Sequence, residues 1–192
     1  MFEDFLKRFD EIETLRVMTD DWERTYAQTG DIAGALNGHL TAQAYIWYKD
    51  GSWMKCTLKK GVLEGPFEWR SKDHRSSMSG EYANGKREGH WDIVSKVSDT
   101  VTRSEKCQYK EGHIIGDRPQ RIYLEKNRLP IAEFTLSAAG KKTGEFKQYN
   151  NDGSLYKKCH YSDGMLDGEY TTYSHGRVRT QGAFSYGARN GE

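Results

Sequence analysis

Large apolar side chains are scarce in this chain. Hydrophobic residues make up 35% of its 192 residues, below the usual share for a globular protein, although aromatic residues reach 12%. No apolar run approaches the length of about 18 residues that a membrane-spanning helix needs, and the N-terminus lacks the apolar centre of a secretory signal. The sequence therefore predicts a cytoplasmic protein without membrane insertion, built on a thin sheet rather than a thick two-layer core.

An excess of charge of one sign is also missing. The 29 lysines and arginines nearly balance the 28 aspartates and glutamates, which gives a formal net charge of +1. Such a chain has no overall electrostatic attraction to nucleic acid or to an anionic membrane. We therefore expect neither as its principal partner.

Spacings that are typical of catalytic or metal sites do not occur either. The six histidines are scattered, with no His-x-x-x-His pair, and no Cys-x-x-Cys pair accompanies them. The chain has no Gly-x-Ser-x-Gly nucleophile motif, and no glycine pair is followed by the Lys-Ser/Thr of a phosphate-binding loop. These absences favour a protein that is not an enzyme and that needs no cofactor or metal.

A repeated pair of glycines is the most regular feature of the sequence. Each copy has an apolar residue, two further residues, a glycine, three residues and a second glycine, as in Tyr161 to Gly168. The first glycines lie 23 to 28 residues apart along most of the chain, and a period of this size indicates a repeat architecture. The six first glycines are Gly61, Gly85, Gly112, Gly140, Gly164 and Gly187.

The stretch from Gly144 to Gly168 indicates what one repeat forms. Phe146–Tyr149 has the short aromatic and charged composition of a strand, and Asn150–Gly153 supplies residues that tolerate a chain reversal. Leu155–Tyr161 then places its apolar residues mainly on alternate positions, as in a strand with one buried face. The repeat is therefore predicted to be a β-hairpin, and the chain an all-β tandem array.

The three cysteines fit this scheme as small core residues. Cys56, Cys107 and Cys159 each lie two residues before the apolar residue of a glycine-pair motif, where other repeats carry Gly80 or Gly182. A free cysteine packs as a small hydrophobe, so these positions predict a small slot beneath an inward aromatic row. Aromatic residues two positions after the second glycine form that row, which Arg118 interrupts.

The first 35 residues do not share the repeat. Apolar residues at 2, 5, 6, 9 and 12 share one face of a helix, and residues 19–26 begin with a capping residue and place Trp22 and Tyr26 one turn apart. We therefore expect a short α-helical N-terminal cap over residues 1–35, followed by the repeat array over residues 36–192. Such a cap would cover the first sheet edge, although a partner-binding helix is the alternative.

The pattern Gly-Glu-Phe-x-x-Tyr-x-x-x-Gly-x-Leu, followed by Tyr-x-x-Gly-x-x-x-Gly, resembles the MORN repeat in its bacterial form. It is similar in particular to the antitoxin and immunity proteins of the YwqK type, over about residues 45–192. The resemblance implies an elongated, twisted or curled antiparallel sheet of successive hairpins. It also implies an antitoxin or immunity protein that binds and neutralises a cognate protein toxin through the surface of that sheet.

Such a protein is expected to be monomeric when free. The alternative is a MORN scaffold associated with a membrane or with phosphoinositides, which would need a local basic patch. Arg118, Arg121, Lys126 and Arg128 are the cations that offer one.

Tryptophan, tyrosine and arginine are the residues that dominate protein interfaces, so we sought the partner-binding residues among those outside the repeat consensus. Trp69 is equally suited to the core, and Trp47 and Tyr48 have opposite parity, so at most one of the two faces the interior. The predicted partner-binding residues are Trp47, Trp53, Trp69, Arg70, His74, Arg75, Arg118, Arg121 and Tyr123.

Overall fold

The structure, a computed structural model, describes residues 11–37 and 40–190. This part of the chain forms sixteen β-strands and one α-helix, and the strands pair antiparallel, mostly as hairpins, which confirms the all-β prediction. In chain order the elements are β1 (Ile12–Met18), β2 (Glu23–Tyr26), α1 (Thr29–Asn37), β3 (Ala42–Tyr48), β4 (Trp53–Lys59), β5 (Val62–Arg70), β6 (Ser77–Ala83), β7 (Lys86–Lys96), β8 (Val101–Lys110), β9 (His113–Ile115), β10 (Arg118–Leu124), β11 (Pro130–Leu136), β12 (Lys142–Tyr149), β13 (Leu155–Ser162), β14 (Met165–Ser174), β15 (Arg177–Ser185) and β16 (Ala188–Asn190).

The chain divides into two compact units. Of the described residues, unit 1 comprises 11–37, 40–93 and 109–113, and unit 2 comprises 94–108 and 114–190. In unit 1 the strands are hydrogen bonded in the order β2-β1-β3-β4-β5-β6-β7. In unit 2 the order is β8-β10-β11-β12-β13-β14-β15-β16. Most strands therefore pair with their neighbours in sequence, as successive hairpins require.

The first glycine of each repeat lies at a hairpin reversal, as predicted. At the β13–β14 turn, Asp163 and Gly164 have φ angles of 51° and 89°, and two consecutive positive values are the mark of a type I′ turn. The second glycine has a role that the sequence did not reveal. Gly168, with φ at 106°, lies inside β14 beside a register shift between Cys159 and Tyr161, and so forms a bulge.

Alternate residues of the unit 1 strands build its core. Leu15, Ile46 and Met54 occupy neighbouring positions on β1, β3 and β4, and all are at most 2% exposed. Cys56 lies on the same face and is 1% exposed, so it fills a small slot as expected. Tyr48 is also buried, so Tyr48 rather than Trp47 faces the interior.

Gly80 occupies the slot position of the next repeat, and the ring of Trp91 lies directly over it. A Cβ atom added at Gly80 would lie 2.3 Å from that ring. The indole Nε1 of Trp91 donates to the backbone carbonyl of Glu81 at 3.2 Å, so the ring is fixed in place. Only the missing side chain of glycine permits this approach.

Replacing Gly80 with alanine is expected to lower the free energy of unfolding by about 1–3 kcal/mol, because the rigid Trp91 ring must move to admit the methyl group. Gly182 is the matched control, since it occupies the same repeat position with no atom within 4 Å of the added Cβ. Gly182→Ala should be neutral or slightly stabilising. Urea unfolding of both variants measures the difference, and equal losses would contradict the packing explanation.

The core of unit 2 contains fewer fully buried side chains. Ala132, Phe146 and Cys159 form its centre, and partly buried rings pack against it. Phe146 stacks on Phe134 with centroids 5.9 Å apart and meets Tyr161 edge-on at 5.8 Å. We call the rings on this inward face the aromatic row of unit 2. Its members are Phe134, Phe146, Tyr161, Tyr170 and Phe184.

The predicted helical cap is not found in the described residues. The first predicted helix falls mostly on residues 1–10, which lie outside the described part, and its last position, Ile12, begins strand β1. The second predicted helix, over residues 19–26, is wrong, because its second half is strand β2.

A turn explains why residues 19–26 do not form a helix. The Oγ1 of Thr19 accepts a hydrogen bond from the backbone N–H of Trp22 at 3.1 Å, as an N-cap residue would. The N–H of Thr19, however, donates to the carbonyl of Trp22 at 2.9 Å, and this bond closes a hairpin between β1 and β2. The helix of this region is α1, whose Ile32 and Leu36 are buried and which packs against β1.

Candidate functional site

Three of the predicted residues lie side by side on the outward face of unit 1. Trp47 on β3 is the cross-strand partner of Trp53 on β4, and Trp53 is the partner of Arg70 on β5. Directly opposed residues of antiparallel strands point to the same face with their Cβ atoms about 5 Å apart. Residues that are far apart in sequence thus form one continuous line of side chains.

Two residues that sequence reasoning missed extend this line. Tyr45 stacks on Trp47 with ring centroids 6.2 Å apart, and the ammonium of Lys55 lies 5.3 Å from the centre of the Tyr45 ring. The guanidinium of Arg70 lies 5.8 Å from the ring of Trp53 in the same way. We call these five residues the outward aromatic patch. The sequence did contain a signal for both residues. Tyr45 lies two positions from Trp47 and Lys55 lies two positions from Trp53, so strand alternation places each on the same face as its neighbouring tryptophan.

The outward aromatic patch combines exposed rings with a charged rim. Trp47 is 37% exposed, a large fraction for an indole on a sheet face. On one side Arg16, which is opposite Tyr45, pairs with Glu23 at 2.7 Å, and on the other side Arg70 pairs with Glu68 at 2.8 Å. The aromatic centre is therefore bordered by both signs of charge, a composition that is typical of protein interfaces.

The other predicted residues of unit 1 lie elsewhere. Trp69 points to the inward face, where its cross-strand neighbours are Met54 and Met78, and it is half-buried. His74 is exposed and Arg75 half-buried in the turn that joins β5 to β6. The structure therefore separates Trp69 from the outward aromatic patch and places His74 and Arg75 in the turn that follows Arg70.

The side chains of that turn hold it in shape. The hydroxyl of Ser71 donates to the Asp73 carboxylate at 2.7 Å and accepts from the backbone N–H of Ser76 at 2.9 Å. His74 has a φ of 55°, the left-handed conformation that the reversal requires. The polar stretch between β5 and β6 is therefore an ordered turn, although it contains no glycine.

Arg118, in unit 2, forms a largely buried ion pair instead of an exposed contact. Its side chain is 15% exposed, and its guanidinium donates to Glu105, 7% exposed, at 2.9 Å. Arg103 donates to the other carboxylate oxygen at 2.6 Å. Arg118 occupies the repeat position at which Phe146 and Tyr170 supply aromatic rings, so an ionic contact replaces a ring in this repeat.

The hydrogen bonds around Glu105 keep its carboxylate ionised. Burial raises the pKa of Glu105, but hydrogen bonds from Arg103, Cys107 and Gln120, together with the charge of Arg103, outweigh burial and hold the pKa below the ordinary value. The carboxylate is therefore charged at neutral pH and depends on its cationic partners.

Arg121 and Tyr123 on the same strand differ from each other in exposure. Arg121 is exposed and pairs with Glu133 at 3.2 Å, whereas Tyr123 is 4% exposed beneath the guanidinium of Arg128, 4.1 Å from its ring. Arg121 borders a shallow concavity of about 460 Å³ on unit 2, which is lined by lysines and glutamates together. The structure does not bring these residues of unit 2 into one cluster.

The described residues contain no group of three or more histidine, cysteine, aspartate or glutamate side chains that could hold a metal ion. The cysteines of this part form no disulfide and are buried, and burial raises the pKa of Cys56 to about 12, so its thiol remains protonated. In the described ranges no helix is long and apolar enough to cross a membrane.

Comparison with known proteins adds no relative. No protein-family model matches the chain, and no curated protein has a significantly similar sequence. The resemblance to MORN repeats therefore depends on the sequence pattern, and functional inference depends on the geometry of the surfaces described above.

Proposed function

We propose that this chain is a MORN-type antitoxin or immunity protein that neutralises a cognate bacterial protein toxin, and that the outward aromatic patch binds the toxin. The observation that carries this proposal is the exposed stack of Trp47 and Tyr45, continued across the sheet by Trp53 and Arg70. Such a protein acts in the cytoplasm as a monomer until it meets its partner.

The chemistry of the patch supports a protein partner. Tryptophan, tyrosine and arginine are the residues with the largest effects on affinity at protein interfaces. Here their positions on adjacent strands restrict the side chains before binding, which lowers the entropy lost on association. The surface is an open sheet face rather than a cavity, which suits a protein better than a small molecule.

A toxin is favoured as the partner because of the repeat pattern. The six glycine-pair motifs and their hairpins resemble the bacterial MORN proteins that act as antitoxins. The border of Arg16–Glu23 and Arg70–Glu68 ion pairs keeps the free surface soluble and contributes complementary charge when a partner approaches.

The membrane-associated alternative is not favoured by the contacts of its proposed cations. Arg118 is paired with Glu105, Arg121 with Glu133, and the guanidinium of Arg128 rests on the ring of Tyr123. These groups do not form a free basic cluster, as recognition of a phosphoinositide headgroup would require.

Co-expression with the product of the neighbouring gene, the expected toxin, tests the proposal. We expect a stable complex after co-purification, a dissociation constant below the micromolar range by calorimetry, and restored growth of cells that express the toxin. A control culture expresses the toxin with an unrelated β-sheet protein and should not grow. Absence of binding at micromolar concentration, together with absence of rescue, would exclude the proposed role.

A further inference from the structure

Two lysines of unit 2 rest their ammonium groups on the aromatic row. The Nζ of Lys142 lies 4.8 Å from the ring centre of Phe146, 5.1 Å from that of Tyr161 and 5.5 Å from that of Phe134. The Nζ of Lys157, on the next strand, lies 5.0 Å from the Phe146 ring. All these distances are within the range of cation–π attraction. Two positive charges thus share one ring on the inward face.

These two charges are not compensated by the chain itself. Neither Lys142 nor Lys157 has a carboxylate partner in the part of the chain that the structure describes. Lysines on the opposite face of the same two strands are paired, because Lys147 and Lys158 both contact Glu145, at 2.5 and 2.6 Å. On these two strands the inward face therefore carries two lysines and no carboxylate, whereas the outward face carries one carboxylate for its two lysines.

The repeat fold does not require a lysine at either position. Lys142 follows the first glycine of its repeat by two residues, where other repeats have Leu63, which is 6% exposed, and Leu166, which packs in the unit 2 core. Lys157 precedes its cysteine by two residues, where another repeat has Met54, which is 2% exposed.

Both positions also accept charge in other repeats. Arg87 follows its glycine by two residues and rests on the rings of Trp91 and Tyr109 at 4.6 and 5.2 Å. Glu105 precedes Cys107 by two residues. The fold therefore accepts either an apolar or a charged residue at these positions and does not require the two lysines.

Most rings of the aromatic row are also less covered than their counterparts in unit 1. Phe134, Tyr161 and Tyr170 are only partly buried, whereas Phe146, the ring that both lysines contact, is 8% exposed. The corresponding ring cluster of unit 1 is almost fully buried, with exposures of 4%, 4% and 1% for Phe67, Tyr82 and Trp91. The inward face of unit 2 therefore offers partly exposed apolar surface directly beside uncompensated positive charge.

We propose that Lys142, Lys157 and the aromatic row of unit 2 form a second binding surface, the lysine–aromatic surface, for an acidic segment of a partner protein. Carboxylates of that segment accept hydrogen bonds from the two ammonium groups, and its apolar side chains cover the rings. The cation–π contacts hold the ammonium groups in position, and the apolar surroundings strengthen the charge-assisted bonds. This surface shares no residue with the outward aromatic patch and does not depend on its proposed function.

A fluorescein-labelled peptide of alternating glutamate and leucine is the probe, and its binding is followed by fluorescence anisotropy. We expect saturable binding by the wild-type protein. Lys142→Leu combined with Lys157→Met should weaken that binding by roughly 100-fold, since each lost charge-assisted hydrogen bond accounts for about tenfold. The matched control, Lys147→Leu combined with Lys158→Met, removes the same charge from the opposite face and should change binding by less than about threefold.

Thermal unfolding followed by circular dichroism separates loss of binding from loss of fold. The first double variant carries residues that other repeats have at those positions, so it should melt at or above the temperature of the wild type. Lys142→Gln combined with Lys157→Gln, which keeps the polar character, should lose binding to the same extent.

Three results would overturn the proposal: no saturable binding by the wild type, unchanged binding by the charge-free variants, or equal binding of a glutamate–serine peptide. Stronger binding to phosphatidylserine vesicles than to the peptide would overturn it as well, in favour of a lipid surface.

Discussion

Replacement of Arg118 with alanine is expected to lower the free energy of unfolding by about 3 kcal/mol. The substitution leaves Glu105 ionised and 7% exposed with one cationic partner instead of two. Breaking a buried ion pair costs about 3–5 kcal/mol, and the lower end applies because Arg103 still contacts the carboxylate. A domain of this size has a total stability of roughly 5–15 kcal/mol, so the effect should be plain in urea unfolding.

Arg121→Ala is the control for this measurement. It removes an arginine from the same strand, but its ion pair with Glu133 is 54% and 36% exposed, so the loss should stay below about 1 kcal/mol. A second variant tests the mechanism, since Arg118→Phe with Glu105→Met installs the residue types that other repeats carry at both positions. We expect it to recover or exceed wild-type stability, because a well-packed apolar pair often replaces a buried ion pair without loss. An equally unstable double variant would contradict this explanation.

Removing the two outward indoles, as Trp47→Ala with Trp53→Ala, is expected to weaken binding of the proposed toxin partner by roughly 30- to 1,000-fold. Interface hot spots contribute about 2–4 kcal/mol each when truncated, and their effects are not additive for neighbours in contact. Trp47 is 37% exposed and Trp53 is half-buried on the outward face, so their removal should affect the folded state less than the loss of core rings would. Calorimetric titration of the toxin into each variant measures the change.

Trp22→Ala provides the matched control for the loss of an exposed indole. Trp22 is 43% exposed at the β1–β2 turn and lies beside Arg24, with 5.8 Å between the guanidinium and the ring centre. It therefore resembles Trp47 in chemistry but does not belong to the outward aromatic patch. Unchanged affinity for this variant is expected. If Trp22→Ala weakened binding as much as the double variant, the outward aromatic patch would not be the contact surface.

The turns and the inward face were predictable because they depend on local chemistry. Gly164 was expected at a reversal since glycine adopts positive φ without strain, and its observed φ is 89°. The opposite parity of Trp47 and Tyr48 likewise follows from strand geometry alone, although only the structure shows which of them is buried. Regular repeats thus reveal their hairpins in the sequence.

Features that depend on distant residues were not predictable. Thr19 offers the same N-cap hydrogen bond in a helix and in a turn, and pairing of β2 with β1 decides between them. Arg118 appeared to be a surface cation because its partner Glu105 belongs to another strand. Strand alternation places Tyr45 on the same face as Trp47 and Lys55 on the same face as Trp53, but the cross-strand register that brings the two strands' residues together is not contained in the sequence of one strand.

The reactivity of the buried cysteines can report the local opening of individual hairpins, because each sulfur lies in a slot beneath the aromatic rings. Cys56 belongs to a hairpin of unit 1 and Cys159 to one of unit 2, and both are at most 3% exposed. A thiol reagent reaches such a sulfur only when the surrounding hairpin opens, so the rate of modification follows the free energy of that local event. Mass spectrometry of the labelled protein would thus compare the stability of individual repeats without any engineered probe.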